Sequence, residues 1–199
     1  MVANFYLHDF DKRITDRGFR LIRYADDFVV MCKTRDEANE AHVLCRAELE
    51  KLGLEIHRID EPKSKSRFGY FPKDGLSFLG IRFEGKKTYP EGKVVNRLED
   101  KLVELLKPTS GRSFTSTMQG LSNLLTSWGR GYQDMEVMKI FLRVDDFVKD
   151  QVAQYLRRSG IVLSKGNRGK QMRFLGVPSL VAMAEHANQK ANAASKPKT

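Results

Sequence analysis

An acidic pair set between two short apolar runs constrains the fold of this chain more than any other feature. Residues 23–29 read RYADDFV, with Asp26 and Asp27 together in the middle of the segment. The apolar pair LI precedes it, and residues 28–31 (FVVM) complete the second run. Each run is long enough for one short strand, so a solvated helix face is not expected here. The pattern predicts a tight β-hairpin over residues 20–32 that carries two carboxylates at its tip.

Two neighbouring carboxylates in a basic protein suit phosphate chemistry. Divalent metal ions such as Mg²⁺ take hard oxygen ligands, and two ions about 4 Å apart can hold the attacking and leaving oxygens of a phosphodiester exchange. Asp26 and Asp27 are therefore candidate catalytic metal ligands. An ordinary Asp-rich turn is the alternative, because Asp favours turns by bonding its own backbone. The pair alone does not decide between these interpretations.

Length and composition indicate a folded protein of one or two small domains. The chain has 199 residues, of which 41% are hydrophobic, so it is not a disordered chain. No apolar run approaches the roughly 20 residues of a membrane span, and the N-terminus has no signal pattern. Cys32 and Cys45 lack zinc-ligand spacing. We expect reduced thiols, a cytoplasmic location and no membrane partner.

The net charge of +10 is concentrated near the C-terminus. Residues 151–199 hold nine of the 35 Lys and Arg residues and only one of the 25 acidic residues. Such asymmetry indicates a polyanion as partner, since basic side chains that replace counterions on a phosphate backbone gain affinity. For residues 186–199 a solubilising tail is the favoured alternative. The candidate contacts to a nucleic-acid backbone are Arg157, Arg158, Lys165, Arg168, Lys170 and Arg173.

Hydrophobic periodicity predicts an α+β fold, with a small antiparallel sheet followed by an all-helical part. Thr34 and Glu37 form a capping box, and Gly18 and Gly160 are expected helix ends. Asp134 is the expected cap of the last helix. Helices are predicted over residues 3–17, 35–52, 94–106, 114–127 and 134–158. Besides the hairpin, strands are predicted over residues 54–60 and 76–83, with a short partner at 87–89.

Four segments together resemble a bacterial reverse transcriptase of the group II intron type, an enzyme of mobile elements. ANFYLHDFD (3–11) resembles the helix before the active-site hairpin, and RYADDFVVM (23–31) resembles that hairpin. Lys63 stands where the family has a Lys, and SFLGIRF (77–83) resembles its primer-grip strand. LSNLLTSWGRGYQ (121–133) is more loosely similar to the thumb, or maturase, domain.

The resemblance implies RNA-directed DNA polymerisation, in which nucleotidyl transfer uses a two-metal Mg²⁺ site. Asp26 would be the main metal ligand and Asp27 a weaker one. Tyr24 and Ala25 would form the floor under the primer terminus. The implied primer grip is Phe78, Leu79 and Gly80, and the implied phosphate contacts include Lys63 and Arg130.

Purely structural roles stay open as alternatives for several of these residues. Residues 78–80 could be a core strand with a glycine at a close backbone approach, and a primer grip could be both. Lys63 could lie in a solvated loop. Trp128 and Tyr132 could serve on a nucleic-acid-facing thumb surface, but an aromatic pair that closes a helix end is the favoured interpretation of Trp128.

The resemblance also implies three regions and one departure from the family. We expect a partial palm over residues 1–92, a helical thumb or maturase-like domain over 93–160, and a basic extension over 161–199 with a disordered end. The family's first metal-binding Asp precedes the helix at 3–17, and Asp9, Asp11 and Asp16 do not match it by motif. We therefore expect a truncated or split polymerase, with an incomplete metal site and a separate chain supplying the fingers and the rest of the palm.

Three hypotheses for the function follow. The chain could be part of a reverse transcriptase that is active once its palm is completed, with an RNA template and a DNA primer as partners. It could be a non-catalytic RNA-binding, maturase-like module that grips structured intron RNA. It could also be a decayed fragment.

A second acidic pair lies in RVDDFV (143–148), which echoes the first. Apolar residues around it recur at helical spacing, which predicts a long helix. Asp145 and Asp146 are then expected on the polar side of that helix, and no second metal site is predicted.

Overall fold

The computed structural model describes residues 2–57, 59, 64, 66–107, 111–161 and 166–194. The chain divides into two compact units, Met1–Leu79 and Gly80–Thr199. Small antiparallel sheets of two and three strands are combined with helices that dominate the C-terminal part. The predicted α+β class is confirmed. None of the helices in the described ranges is long and apolar enough to cross a bilayer.

The elements follow the chain in a simple order. The first unit contains α1 (Val2–Tyr6), α2 (His8–Asp16), β1 (Arg20–Tyr24), β2 (Asp27–Met31), α3 (Arg35–Glu50), α4 (Phe71–Asp74) and β3 (Leu76–Phe78). The second unit contains β4 (Ile81–Glu84), β5 (Lys87–Pro90), α5 (Gly92–Leu105), α6 (Phe114–Tyr132), α7 (Met138–Arg158), α8 (Arg168–Phe174) and α9 (Leu180–Ala194). The sheets have the strand orders β1-β2 and β3-β4-β5.

The first unit packs one face of the β1–β2 hairpin against α2 and α3. Phe10 and Ile14 of α2 are buried with Cys45 and Leu49 of α3. The ring of Phe28 meets that of Phe10 edge-on, with 5.4 Å between centroids. Each such large side chain contributes about 1.5–3 kcal/mol when fully buried. This core fixes the hairpin by its inner face.

The capping box of α3 forms as predicted. The Thr34 hydroxyl accepts a hydrogen bond from the Glu37 amide at 3.1 Å, and the Glu37 carboxylate accepts one from the Lys33 amide at 2.7 Å. These two bonds satisfy backbone donors that a helix start otherwise leaves unpaired. They fix the residue at which α3 begins.

The second unit has its own core, built from four long helices. Leu102 of α5, Leu121 and Leu125 of α6, Phe141 of α7 and Leu180 of α9 are all fully buried. Helices α6 and α9 approach closely at Gly129: an added Cβ there would lie 2.8 Å from Leu180 Cδ2. The C-terminal helix α9 is therefore part of this core.

The predicted strand over residues 54–60 is wrong for the described part. Residues 54–57 form no strand, and the Leu54 amide still bonds to the Leu49 carbonyl at 3.0 Å, which completes the end of α3. Ile56 packs against the first core. The alternation of apolar and polar residues therefore reflects the burial of this side chain and not pairing with another strand. Residues 58 and 60 lie outside the described residues.

The predicted single strand over 76–83 is a hairpin, because the chain reverses at Leu79 and Gly80. Both have positive φ, +51° and +79°. Strand β5 pairs antiparallel with β4 from Ile81↔Pro90 to Glu84↔Lys87, which confirms the predicted partner strand.

Helix α7 begins later than predicted, and Asp134 is not its cap. The N-cap residue is Val137, without a side-chain cap. The Glu136 amide donates to the Thr88 carbonyl at 3.0 Å, so the segment before α7 is tied to β5 rather than wound into the helix. Gly160 ends the helix at φ +70°, as predicted.

Two helices occupy the region predicted as a basic extension. Met172 of α8 and Val177, Leu180 and Ala184 around α9 are buried in the second core. Basic residues are interspersed with these apolar residues, so the sequence pattern alone predicted no helix here. The tail considered over residues 186–199 begins inside α9, and residues 195–199 lie outside the described residues. The predicted division into palm, thumb and extension stays a prediction.

Candidate metal centre at the hairpin tip

The hairpin presents the two aspartates as predicted. Register pairs run from Arg20↔Met31 to Tyr24↔Asp27, so Ala25 and Asp26 form a two-residue turn. Ala25 takes a positive φ of +55°, which is uncommon for a residue with a Cβ. Asp26 sits in the turn and Asp27 opens β2, and both are exposed.

Both carboxylates are available to a ligand. Among the described residues, no side chain or backbone group forms a hydrogen bond or an ion pair with the carboxylate of Asp26 or of Asp27. Exposed carboxylate oxygens without protein partners are the hard donors that Mg²⁺ prefers. However, the described residues contain no group of three or more His, Cys, Asp or Glu side chains that could hold a metal. The donor chemistry fits magnesium, whereas the number of donors falls short of a complete two-metal site.

Arg23 fastens the turn to the helices beneath it. Its Nε and Nη2 donate to the two carboxylate oxygens of Asp11 at 2.7 and 2.5 Å. Its Nη1 donates to the backbone carbonyl of Ala25 at 2.6 Å and to the Asn4 amide oxygen at 3.2 Å. The Arg23 side chain is only 8% exposed. The hydrogen bond to Asp11 raises the pKa of Arg23, so the guanidinium stays charged.

The same hydrogen bonds give Asp11 a structural role, because both oxygens of its carboxylate bind the Arg23 guanidinium. Asp9 and Asp16 lie exposed on α2. The three helix aspartates therefore form no metal-binding group with the hairpin pair in the described structure.

Tyr24 and Ala25 lie beside the acidic pair, where the resemblance places a floor for the primer terminus. Tyr24 is 67% exposed and shares a face of the hairpin with Asp27, its register partner. Ile22, 49% exposed, continues this open face. An exposed aromatic ring next to the carboxylates offers a surface on which a sugar or base can rest. The assigned role stays a prediction.

The second acidic pair is arranged quite differently, and one half of its prediction is wrong. Asp146 is exposed and pairs with Lys149 at 2.7 Å, as expected for a polar helix face. Asp145 is 7% exposed, and its carboxylate accepts hydrogen bonds from the Ser179 hydroxyl at 2.6 Å and the Leu180 amide at 2.9 Å. A third bond comes from the Val181 amide at 3.3 Å. Asp145 thus caps the start of α9 from a neighbouring helix.

The predicted primer grip falls at a tight turn. Phe78 is half-buried in β3, and Leu79 is 46% exposed at the turn. The Gly80 carbonyl accepts a hydrogen bond from the Glu91 amide at 2.8 Å, and an added Cβ at Gly80 would lie 2.8 Å from Val94 Cγ2. The close backbone approach proposed for this glycine is confirmed, while a contact with a primer stays a prediction.

The aromatic pair near the end of α6 packs on the second core. The ring centroids of Trp128 and Tyr132 are 4.8 Å apart, and Trp128 also lies 5.7 Å from Phe141. This arrangement agrees with the interpretation that the pair closes a helix end. Arg130, between them in sequence, is exposed and remains a candidate phosphate contact.

The predicted backbone-binding residues cluster on α7 and α8. Arg157 and Arg158 form the last turn of α7, and α8 packs on α7. All described members of the set are exposed, and Arg168 pairs with Asp150 at 2.9 Å. Lys63 and Lys165 lie outside the described residues. The described set consists of Arg157, Arg158, Arg168, Lys170 and Arg173.

A comparison with known protein families agrees with the resemblance that the hairpin residues suggested. Residues 1–83 match the family model for reverse transcriptase (RNA-dependent DNA polymerase). The match supports a reverse transcriptase. It extends from α1 into β4 and includes Asp26 and Asp27, so the resemblance read from the sequence is confirmed at this level. The match does not distinguish the group II intron type. No curated protein matches the chain.

Sequence reasoning missed the roles of Arg23 and Asp145, although a signal for each was present. Strand alternation places Arg23 on the same face as Leu21, which packs against the first core. A charged residue on a buried face requires a partner, and Asp11 could have been sought on that ground. Asp145 directly follows the core residue Val144 in the helical pattern, which puts it at the edge of the apolar stripe.

Proposed function

We propose that this chain carries the metal-binding hairpin of an RNA-directed DNA polymerase of the group II intron type. The observation that carries the proposal is the hairpin tip with its two adjacent, exposed carboxylates, which have no partner in the part of the chain that the structure describes. This tip lies within the segment that matches reverse transcriptases. An ordinary Asp-rich turn accounts for the turn geometry alone, but not for the family match around it.

In this proposal the hairpin residues hold the metal and the primer end. Asp26, in the turn, is the main ligand, and Asp27 is a weaker one. Bound Mg²⁺ would neutralise the charge that develops on the transferred phosphate during nucleotidyl transfer from a deoxynucleoside triphosphate. Tyr24 and Ala25 support the primer terminus, and the small Ala25 side chain leaves room for a deoxyribose.

The site needs at least one more carboxylate than the described residues supply. We propose that a segment outside this sequence provides it, together with the fingers and the rest of the palm. Two carboxylates hold a divalent ion more weakly than three, since calcium and magnesium affinity rises with the number of charged ligands. The 199-residue chain alone should therefore not extend a primer.

The second unit would contact RNA through the exposed basic residues of α7 and α8. Phosphate contacts position a nucleic acid without reading its sequence, so this surface should bind structured RNA broadly. Within residues 151–199 Glu185 is the single acidic residue, and Arg168 pairs with Asp150 of α7.

A primer-extension assay tests the catalytic proposal. The chain is expressed alone and, separately, together with the product of the coding sequence upstream of Met1, and each preparation receives a primed RNA template, deoxynucleotides and Mg²⁺. We expect no extension by the chain alone, and extension by the assembly that Asp26→Ala abolishes. Extension by the assembly that survives Asp26→Ala would contradict the proposal. Robust, Asp26-dependent extension by the chain alone would show that no further carboxylate is required.

A non-catalytic RNA-binding module is the second candidate, and the charge distribution favours it. Its affinity for RNA should fall steeply as salt rises from 50 to 200 mM, on the order of 10³-fold for about six phosphate contacts. Charge reversal at Arg157, Arg158 and Arg168 should weaken binding and flatten the salt dependence, while reversal at Arg46, which is exposed in the first unit, should not. Flat salt dependence in the unmodified chain would exclude this candidate.

A further inference from the structure

A buried guanidinium lies directly beneath the candidate metal centre. Arg23 is the residue two positions before the turn residue Ala25, and its side chain turns away from solvent toward α1 and α2. It makes four hydrogen bonds with three acceptor groups: the Asp11 carboxylate, the Asn4 amide and the Ala25 carbonyl. The geometry points to Arg23 as a positioning residue that orients Asp26 and Asp27 for metal binding, an inference that rests on the proposed function.

The bond to the turn acts on the acidic pair through the backbone. The Ala25 carbonyl belongs to the planar peptide unit that joins Ala25 to Asp26. The carbonyl oxygen lies 2.6 Å from Arg23 Nη1. This bond therefore fixes the orientation of the peptide plane that ends at the Asp26 Cα, to which the Asp26 side chain is attached. The Asp26 carboxylate itself makes no bond within the described chain, so its direction is set by this plane and by its rotamer.

The unusual conformation of Ala25 supports the same conclusion. A residue with a Cβ at φ +55° is strained, and such strain persists only where the surroundings fix it. Among the described residues, Arg23 is the one whose side chain donates a hydrogen bond to the backbone of this turn. Strained backbone at a site whose neighbouring carboxylates are free is consistent with a turn held in a shape suited to a ligand.

Asp11 makes a charged anchor compatible with a cation site. An uncompensated guanidinium next to two metal-binding carboxylates would repel the metal or pair with the carboxylates itself. The bidentate bond to Asp11 neutralises the guanidinium and turns its remaining donors toward Asn4 and Ala25. Lysine could not replace it, since a single ammonium lacks the fixed fork that reaches all three acceptors.

The test follows the turn and the metal separately, by NMR on the ¹⁵N-labelled 199-residue chain titrated with Mn²⁺. In the unmodified chain, Mn²⁺ should broaden the amide signals of Ala25, Asp26 and Asp27. In Arg23→Lys we expect those signals to shift before metal is added and the Kd for Mn²⁺ to rise at least about tenfold, as for other residues that orient metal ligands. Asp11→Asn should change both quantities in the same direction.

Arg20→Lys is the matched control, because it makes the same replacement of a guanidinium by an ammonium at an exposed position of the same strand. It should leave the turn signals and the Kd unchanged. Circular dichroism melting establishes that each variant is folded, and Asp11→Asn serves if Arg23→Lys does not fold.

Two results separate this inference from the function on which it rests. A folded Arg23→Lys chain with unshifted turn signals and unchanged Mn²⁺ affinity would overturn the positioning role. If the unmodified turn shows no Mn²⁺ broadening while Arg23→Lys still shifts its signals, the metal-binding function fails and Arg23 still positions the turn.

Discussion

The chain contains the dipeptide Asp-Asp twice in nearly the same apolar setting, and the two copies serve different ends. Asp26 and Asp27 stand at a hairpin tip, exposed and without partners among the described residues. Asp145 and Asp146 stand within a 21-residue helix, where Asp145 is buried against the start of α9 and Asp146 pairs with Lys149.

Backbone geometry accounts for this difference. Consecutive residues point to opposite faces of a strand and are 100° apart around a helix, so a helix sends two adjacent side chains to different surroundings. At the hairpin tip Asp26 lies in the turn and Asp27 opens β2, and no described neighbouring element bonds either carboxylate. The hairpin pair is therefore available for a ligand, while the helix pair stabilises the fold.

The largest effect should come from removing the buried carboxylate. Asp145→Ala deletes three hydrogen bonds to the first turn of α9 and leaves buried backbone donors unpaired. We expect the free energy of unfolding to fall by about 2–3 kcal/mol, from the lost cap and the unsatisfied amide. Urea denaturation measured by far-UV circular dichroism gives this value.

Asp146→Ala is the control within the same dipeptide. It removes one exposed pair, which is worth at most about 1 kcal/mol. Equal losses for the two variants would refute the assigned division of roles between Asp145 and Asp146.

A smaller effect should come from the packing that holds α9 where Asp145 caps it. In Gly129→Ala the new methyl group would lie 2.8 Å from Leu180 Cδ2 and 2.9 Å from Met183 Cε. Overpacking of this kind costs about 1–3 kcal/mol, partly offset because Ala favours a helix by about 1 kcal/mol over Gly. We expect a net loss of about 1 kcal/mol in the same urea experiment.

Gly131→Ala, two residues further along α6, provides the matched comparison. No atom of the described residues outside the helix's own nearby backbone lies within 4 Å of its added Cβ, so only the helix preference of Ala should act. This variant should gain up to about 1 kcal/mol. A gain in both variants would mean that α6 and α9 do not approach at Gly129.

The smallest change in stability should come from the hairpin pair itself. Asp26→Ala removes an exposed carboxylate that has no partner among the described residues, so the free energy of unfolding should stay within about 0.5 kcal/mol. Labelling of Cys45 by a thiol reagent reports on the first core, because this side chain is 1% exposed. Burial raises the pKa of Cys45 to about 12, so its thiolate is scarce at pH 8. Asp26→Ala should leave the labelling at pH 8 as slow as in the unmodified chain.

The pH dependence of this readout has a definite sign. Because the folded state holds the Cys45 proton more tightly than the unfolded state, this thiol stabilises the fold below its unfolded pKa. That contribution is lost as the pH rises toward 12. Labelling should therefore accelerate with pH, and rapid labelling already at pH 8 would contradict the packing of the first core.

The parts of the fold that could be predicted depend on local signals. The hairpin followed from apolar runs around two turn-forming residues, and α3 followed from its capping box. The strand assigned to residues 54–60 failed because alternation reports burial, whereas a strand needs a partner that the local sequence does not reveal. The reversal at Leu79 was hidden because a leucine at positive φ has no sequence signature.

The candidate site shows the same division. Asp26 and Asp27 were found from the sequence because adjacent acids between strands are a local pattern. The Arg23–Asp11 pair joins residues 12 positions apart on a strand and a helix, and the Asp145 cap spans 35 positions. Such contacts depend on how the elements pack, which the spacing of residues along the chain does not specify.

The most direct test of the metal-binding claim compares the two acidic pairs in one titration. Mn²⁺ is added to the ¹⁵N-labelled chain, and the loss of amide signal is followed at Asp26 and Asp27 and at Asp145 and Asp146. We predict broadening centred on the hairpin pair that excess Mg²⁺ reverses, that Asp26→Asn abolishes, and that is absent at the helix pair. Equal broadening at both pairs, or none at the hairpin tip, would contradict the account.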